Sequence, residues 1–495
     1  MNKKIVFWGC LVVLCVFCAC IPTSYDFDLF ARLIVGERVI EHGIFPFHDF
    51  LSYTPTHPWY DHEWGSGVVF YLILKYLGVA GFILFYALAI FGISFFVIKT
   101  QKLQKHPFPA SIIFMTIFLT FFLRANHNLV RCQLFSFFLF SMFLYFLEKN
   151  RKSGTRLIWL IPFLTIFWNN VHGGVVAGLG LVFIYFIGAV LEKKPWKKYF
   201  AVLAISSPLL ILNPYGVKYL NFLFSATTMT RKFVVEWWPF YKATSAMPAA
   251  VSCMAAAAIS LFNHIKSKNW DITKFIVIGV TLAEGLIHVK LISLALITVS
   301  ALCYNDICRF VFRFKKIFIK IEKCLYFAVI VLALCLIPLL SPLTPRVDLT
   351  ILPFQEVEFL KINNLKGNIV TPFALGSFVS YKLYPDNLIY LDGRYEEVYN
   401  NKEFYIMGDF ELADTDNWDT ILKDYDTQIT MIRKHIPAYK KMQEKEGWIH
   451  VYDGTLCGIF IRDDLKKENY SEPSADVSYY RKNVFKGSFG KKIKE

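Results

Sequence analysis

Charge is scarce in this chain. Only 18% of its residues are Asp, Glu, Lys or Arg, where a soluble protein of this length carries about a quarter. With 55% hydrophobic residues and Phe alone occurring 49 times, an ordinary water-facing globule is excluded. Cysteines placed to pair are also lacking. Of the 11 present, Cys457 alone falls in the predicted external C-terminal region. A lone cysteine makes no intradomain disulfide, and the others, in or beside apolar segments, read as small hydrophobes. No zinc-type ligand spacing and no internal repeat occur. Acidic residues number 38 against 53 basic ones, a formal net charge of +15. That excess is not a nucleic-acid patch. It collects in short loops between apolar runs: Lys3-Lys4, Lys99 to Lys105, Lys149 to Arg156, Lys193 to Lys198, Ile265 to Lys274 and Arg309 to Lys323. Positive loops of this kind are retained in the cytoplasm.

What is present is a series of long apolar runs. Their alternation with basic loops predicts an all-α polytopic membrane protein of about eleven transmembrane helices. The expected spans are 4–22, 79–99, 108–123, 133–148, 156–170, 174–192, 199–213, 248–264, 273–287, 291–306 and 323–342. Several are shorter than the roughly twenty residues that cross a bilayer upright. Cys18-Ala19-Cys20 hints at a lipoprotein cleavage site, but Phe17 and Cys18 suit one poorly, so the first segment is read as an anchor. With Lys3 and Lys4 in the cytoplasm, loop 23–78 lies outside, and so does everything after about 343. The expected location is the plasma (inner) membrane, multi-pass, with a cytoplasmic N-terminus.

The expected transmembrane domain is 1–343, with 23–78 as a long first outer loop. In that loop Tyr25 to Gly43 reads as an amphipathic helix, with Leu29, Leu33, Val39 and Ile40 among Arg32, Glu37, Arg38 and Glu41. Pro46 favours an extended stretch before it. A second helix is expected from about Tyr60-Asp61-His62-Glu63-Trp64 to Leu77. The regime changes at Ser341-Pro342-Leu343-Thr344-Pro345. Strands are expected at 368–371, 388–391, 428–432, 448–452 and 458–462, the last two joined through Asp453-Gly454, a hairpin signal. Residues 344–463 are therefore expected to form an extracytoplasmic α/β domain, and the Lys-, Ser- and Glu-rich 464–495 a disordered tail.

The distinctive polar residues fall on one predicted side. Tyr25-Asp26-Phe27-Asp28, Arg32, Arg124, His127, Arg131, His172 in Trp168 to Gly174, Asn213-Pro214-Tyr215-Gly216, Glu236, His288 and Lys290 are all placed outside. Ionisable side chains near membrane depth are expensive and usually mark a cavity or pathway. Arg and Lys suit phosphate, and a carboxylate suits proton abstraction or a metal. Each residue also has a plainer reading. Asp26 and Asp28 would favour a helix dipole, Arg124 and Arg131 would anchor an interface, and His172 would bond a carbonyl in a Gly-Gly turn. Glu236 would pair with Arg231 or Lys232, and Asp392-Gly393-Arg394 would be a strand-end turn with an Asp–Arg bridge. The loop histidines His48, His57 and His62 read as loop-ordering residues rather than ligands.

Asp26-Phe27-Asp28, Arg32-Leu33, Gly36-Glu37, Glu41-His42-Gly43, Pro46, Asp49, Ser52-Tyr53-Thr54 and Trp59 to Trp64 resemble the first outer loop of GT-C-type membrane glycosyltransferases. The closer likeness is to a large bacterial group of multi-spanning proteins of that fold. Trp168 to Gly174, Asn213 to Gly216, Glu236-Trp237, Leu391-Asp392-Gly393-Arg394 and Val398-Tyr399 resemble that group's later motifs. The resemblance implies transfer of a sugar from a polyprenyl-phosphate carrier to an acceptor on the outer face. It implies an acidic residue of the first outer loop as base or acceptor-positioning group, with a divalent metal (Mg or Mn) in some branches. Asp26 or Asp28 matches that position. Two positions depart from the pattern: Arg32 and Lys290 stand where histidine and arginine are expected, which puts a histidine-mediated role in doubt.

The expected activity is thus a lipid-phosphate-sugar-dependent glycosyltransferase. Asp26 and Asp28 are its candidate catalytic residues, and Arg32, Arg124, Arg131, His172, Glu236, His288 and Lys290 its candidate substrate-binding residues. Its partners would be the bilayer, the lipid-linked sugar and a glycan, lipid or protein acceptor, without nucleic acid. A polytopic transporter or a non-catalytic membrane scaffold is the alternative, although no paired broken helices in two similar halves are evident.

Overall fold

The computed structural model describes residues 3–21, 25–104, 107–126, 129–229, 231, 234–268, 270–311, 315–339 and 347–487. His127, Lys232 and the Ser341–Pro345 boundary lie outside them. The chain divides into two compact units. The first comprises Met1–Thr23 and Gly78–Pro342, and the second Ser24–Leu77 and Leu343–Glu495. The chain passes between them at Gly78, whose φ of 61° and ψ of −153° break the helix Trp64–Gln101. Only glycine adopts that conformation without strain.

The first unit is helical, and each expected apolar stretch in it falls on helix. Lys3–Ala19 packs on Lys315–Leu339, and Ile272–Ile287 packs on Ile292–Leu302 and Val175–Leu191. Ile292–Leu302 is buried on every side, so its uniformly apolar sequence needs no polar face. Large apolar side chains remain exposed elsewhere, among them Phe163, Phe224 and Phe327 at 72–73%. Exposure of that kind suits lipid rather than water. By length and composition, two helices can cross a membrane, Trp64–Gln101 and Met247–Ser267. Val289–Leu302 with Tyr304–Val311, bent by 61°, gives a third if the pair is one span. Ile112–Ala125, Leu157–Val171 and Val175–Leu191 are apolar but shorter than a simple span, so among the described residues length and composition support two or three spans where about eleven are expected.

Two basic loops are more specific than expected. Arg151 donates to both carboxylate oxygens of Asp271, at 2.6 and 2.9 Å, and to both of Glu148, at 2.9 and 3.1 Å. Lys274, only 3% exposed, donates to Asp306 at 2.5 Å. These cations join helices rather than solvate a loop.

The second unit holds a four-stranded sheet in the order β1-β2-β4-β3. Its strands are β1 Ile369–Val370, β2 Ile429–Arg433, β3 Trp448–Asp453 and β4 Cys457–Arg462. β1 is parallel to β2, and β2–β4 and β4–β3 are antiparallel. Ile429, Met431, Ile459 and Ile461 are fully buried between helices, while β3 forms the half-exposed edge. The β3–β4 hairpin turns at Gly454, whose N–H donates to Cys457 O. The strand expected at 388–391 is reduced to single bridges at Ile389, because Ile369 pairs with it on one side and Ser52 on the other.

That bridge ties the first loop to the C-terminal segment. Ile389 N–H donates to Leu51 O at 2.9 Å, Tyr53 N–H to Ile389 O at 3.1 Å, and Thr54 Oγ1 to Tyr390 O at 2.8 Å. Residues 24–77 therefore group with the C-terminal α/β segment, not with the helical unit where 23–78 was expected. The physical reason is backbone satisfaction: the loop supplies partners that a short sheet edge lacks. The stretch expected as a disordered tail is ordered to residue 487, and Val477–Asn483 is a helix there. Tyr480 and Val484 are buried, which supplies the apolar anchorage that a Lys-rich composition concealed.

Candidate functional site

The second unit carries two linked charge networks. The first is built on the helix Phe27–His42, expected to be amphipathic. Its first half is instead enclosed: every residue from Leu29 to Gly36 is buried, Arg32 included. Arg32 lies three residues after Leu29, on a face that packs inward. Close approach of the next helix is set by glycine. A Cβ on Gly36 would lie 2.1 Å from Gly67 O, and one on Gly67 would lie 2.5 Å from Arg32 O.

Arg32 centres the first network. Its guanidinium donates to Asp61, and to Glu397 at 3.3 and 3.1 Å. Trp59 Nε1–H donates to the same Glu397 carboxylate at 2.8 Å. His62 Nδ1 lies 2.9 Å from Glu397 Oε1, and Glu63 Oε2 lies 3.6 Å from Arg32 Nε. Burial disfavours charge on Glu397, but Arg32 and His62 hold its carboxyl well below the usual range. Burial opposes charge on His62 too, yet Glu63 and Glu397 push it up to about 9. Burial, with the Glu397 charge beside it, raises Asp61.

The second network centres on Arg394, which is 1% exposed. Its Nε donates to Asp392 at 2.9 and 3.1 Å, Nη1 to Asp49 at 2.5 Å, and Nη2 to Ser52 at 3.1 Å and Tyr399 at 3.0 Å. Burial works against an ionised Asp49, but Arg394 keeps its carboxyl below the usual range. The guanidinium also stands 4.6 Å from the centre of the Trp59 ring. Trp59 is thus shared, its ring under Arg394 and its N–H on Glu397. The Asp392–Arg394 bridge expected in this turn is present, and it is the middle of a larger assembly.

This assembly fixes the loop that meets Asp28. Asp28 lies in the first turn of its helix, and a Cβ added to Gly393 would stand 2.1 Å from Asp28 Oδ1. Only glycine allows the loop to press so closely on the carboxylate. Asp26 is the N-cap residue, 3% exposed, and its side chain makes no cap hydrogen bond.

His62, Glu63 and Glu397 offer ligand atoms within 4.8 Å of one another, a donor set suited to a divalent ion. Arg32 already engages both carboxylates of that set. It takes both oxygens of Glu397 and approaches Glu63, while His62 is biased toward its charged form. The residues therefore fit an arginine-centred network better than a metal, which needs neutral imidazole.

The other expected site residues lie in the helical unit. Arg131 donates to Glu236, and Lys290 Nζ lies 3.9 Å from the other Glu236 oxygen. These three line a cavity of about 50 Å³ with Asn126 and Ser245. Arg124 donates to Ser245 O at 3.3 Å. His288 Nδ1 is 3.1 Å from Trp237 O, and Lys290 stands 5.6 Å from the Trp237 ring centre. Arg231 stands over the Trp237 ring at 4.1 Å. His172 is not among the cavity-lining residues. Its Nδ1 accepts from Gly174 N–H at 2.8 Å and meets Ser136 Oγ at 2.7 Å, so it clasps the Gly-Gly turn through a backbone N–H.

No family model matches the chain, and no curated protein matches it in sequence. Among solved structures it is similar to the archaeal oligosaccharyltransferase AglB from Archaeoglobus fulgidus, determined in complex with an inhibitory peptide and a dolichol-phosphate. The TM-score is 0.54 at 9% identity, covering 88% of this chain and 70% of that one. The chain has a GT-C-like fold. At that identity the likeness concerns the fold, and activity has to be argued from the site.

Sequence reasoning missed Asp49, Trp59, Asp61, Glu63 and Glu397 as functional candidates, and treated His62 as loop ordering. The density of Trp, His and carboxylates in Trp59 to Trp64 was the available signal. Glu397 carried none, because its partners lie 335 and more positions away.

Proposed function

We propose that this chain is a membrane glycosyltransferase that moves a sugar from a polyprenyl-phosphate carrier to an acceptor on the extracytoplasmic face. The observation that carries the reading is Asp28, a carboxylate of the first outer loop, held against Gly393 within a GT-C-like fold. The neighbour with that fold was solved with a peptide and a dolichol-phosphate, which supports a lipid-phosphate carrier here. The acceptor hydroxyl or amine attacks the anomeric carbon, and the carrier phosphate leaves with inversion. Asp28, assisted by Asp26, takes the acceptor proton or orients the nucleophile. In the helical unit, Arg131 and Lys290 with Arg124 are the groups suited to the departing phosphate, at the expense of their pairing with Glu236. Arg32 and Arg394 are positioning residues, since their guanidinium groups are engaged by carboxylates and hydroxyls within the networks.

The test is transfer from prenyl-phosphate sugars by protein reconstituted in liposomes. Asp28→Asn is expected to lower the rate by roughly 10²–10⁴, the usual contribution of a positioned general base. Full activity in both Asp28→Asn and Asp26→Asn would remove these carboxylates from the mechanism.

A further inference from the structure

One cavity of the second unit belongs to neither network. It encloses about 570 Å³, within the range of small-molecule sites. Leu33 and Glu37 of the helix Phe27–His42 form one wall, and Tyr71, Leu74 and Lys75 of the next helix form another. Tyr381 and the segment 481–487 close it. The cavity is amphipathic: Leu33, Leu74, Tyr381 and Phe485 are apolar or aromatic, and Arg481, Lys482 and Lys486 line it too.

Segment 481–487 is held in place. Tyr381 O–H donates to Phe485 O at 2.8 Å, and Lys382 Nζ donates to Asn483 O at 2.5 Å and Lys486 O at 3.0 Å. A buried lysine and a buried tyrosine thus clamp carbonyls within 483–486, part of the segment 481–487 that carries three of the cations lining the cavity. Among the described residues, Arg481, Lys482 and Lys486 have no carboxylate within ion-pair distance. Lys75 is different, since it is paired with Glu41 at 2.6 Å. Glu37 is the one carboxylate lining the cavity. Three unpaired cations against one carboxylate leave the cavity positive, and Leu33, Leu74 and Phe485 give it apolar lining.

We propose that this cavity binds an anionic phosphate-headed lipid, with the head group on Arg481, Lys482 and Lys486 and an acyl or prenyl chain along Leu33, Leu74 and Phe485. Arg supplies a forked donor set for phosphate oxygens and Lys supplies point charge. Glu37 opposes the ligand, so its removal strengthens binding. The site stands whether or not the chain transfers sugar.

Native mass spectrometry of the full chain, stripped of lipid and then titrated, tests this. The probes are dioleoyl phosphatidylglycerol, dioleoyl phosphatidylcholine and inorganic phosphate. We expect one phosphatidylglycerol retained per chain, preferred over phosphatidylcholine by roughly tenfold or more. Arg481→Gln, Lys482→Gln and Lys486→Gln together should abolish that preference, whereas Glu37→Gln should increase retention. A gain cannot come from misfolding, so the Glu37→Gln arm stands even if the triple variant folds poorly. Equal retention of the two lipids, an unchanged preference in the folded triple variant, or weaker retention in Glu37→Gln overturns the proposal. Inorganic phosphate competing at equal concentration would assign the cavity to a soluble phosphate and overturn the lipid.

Discussion

At the scale of single residues, the account rests on charges that are buried and mutually answered. Arg394 donates to Asp392, Asp49, Ser52 and Tyr399, so removing it leaves carboxylates in a dry site. Arg394→Ala is expected to cost about 3–5 kcal/mol of stability, read by denaturant or thermal unfolding in detergent. Gly393→Ala forces a Cβ against Asp28 Oδ1, at a cost of about 1–3 kcal/mol. Asp28→Ala should relieve most of that cost, so the double variant will be less destabilised than the sum of the singles. Simple additivity would show that the two residues do not touch. His62 has a pKa raised from 6.5 to about 9, so its contribution is complete below 6.5 and fades as pH rises through 9. Glu397 is depressed, so its contribution is lost as pH falls below the ordinary value of 4.5. Between pH 7 and 10 the wild-type melting temperature should therefore fall more steeply than that of His62→Gln. Parallel profiles would remove His62 from the network. Legibility at this scale was partial. Asp26, Asp28 and the Asp392–Arg394 turn stood out as local polar motifs in greasy surroundings. Glu397 did not, because its role arises only when distant segments meet.

Helices and strands were easier to read, for definite physical reasons. Gly43 ends the Phe27–His42 helix in the left-handed conformation, with φ 68°, and its N–H caps Val39 O. Asp453-Gly454 marked the β3–β4 hairpin, and alternation between apolar runs and basic loops marked the helices of the first unit. Reading failed where periodicity carries no information about partners. The Leu388–Leu391 stretch has strand composition, yet it pairs at Ile389 only. Arg32 looked like the polar face of an amphipathic helix, although both faces of that helix are covered over Leu29 to Gly36. Helix crossing adds one more expectation. Gly36→Leu places a side chain where Gly67 O lies 2.1 Å from the nearest possible Cβ. It should separate these helices and make residues 24–77 sensitive to protease, whereas Gly9→Leu, with open space around its Cβ, should not. Equal protection of the two variants would contradict the close crossing.

For the whole molecule, the grouping of 24–77 with the C-terminal segment is the feature that sequence order hid. Composition identified a membrane protein, and the resemblance indicated its fold, but neither shows which distant segments share a unit. In the topology we propose from the basic loops, both parts of this unit lie outside the cytoplasm. Phe47, 48% exposed, offers a direct probe. Phe47→Cys in intact cells should react with an impermeant thiol reagent above the background of native cysteines. Labelling only after permeabilisation would put the first loop in the cytoplasm and end the case for transfer on the outer face.

The central claim is that this chain consumes a lipid-linked sugar, and its lipid pool reports on that most directly. Untargeted lipidomics of a deletion strain should find an accumulated prenyl-phosphate sugar. The wild-type chain should clear it on return, and Asp28→Asn should not. An unchanged lipid pool, or full clearance by Asp28→Asn, would contradict the account.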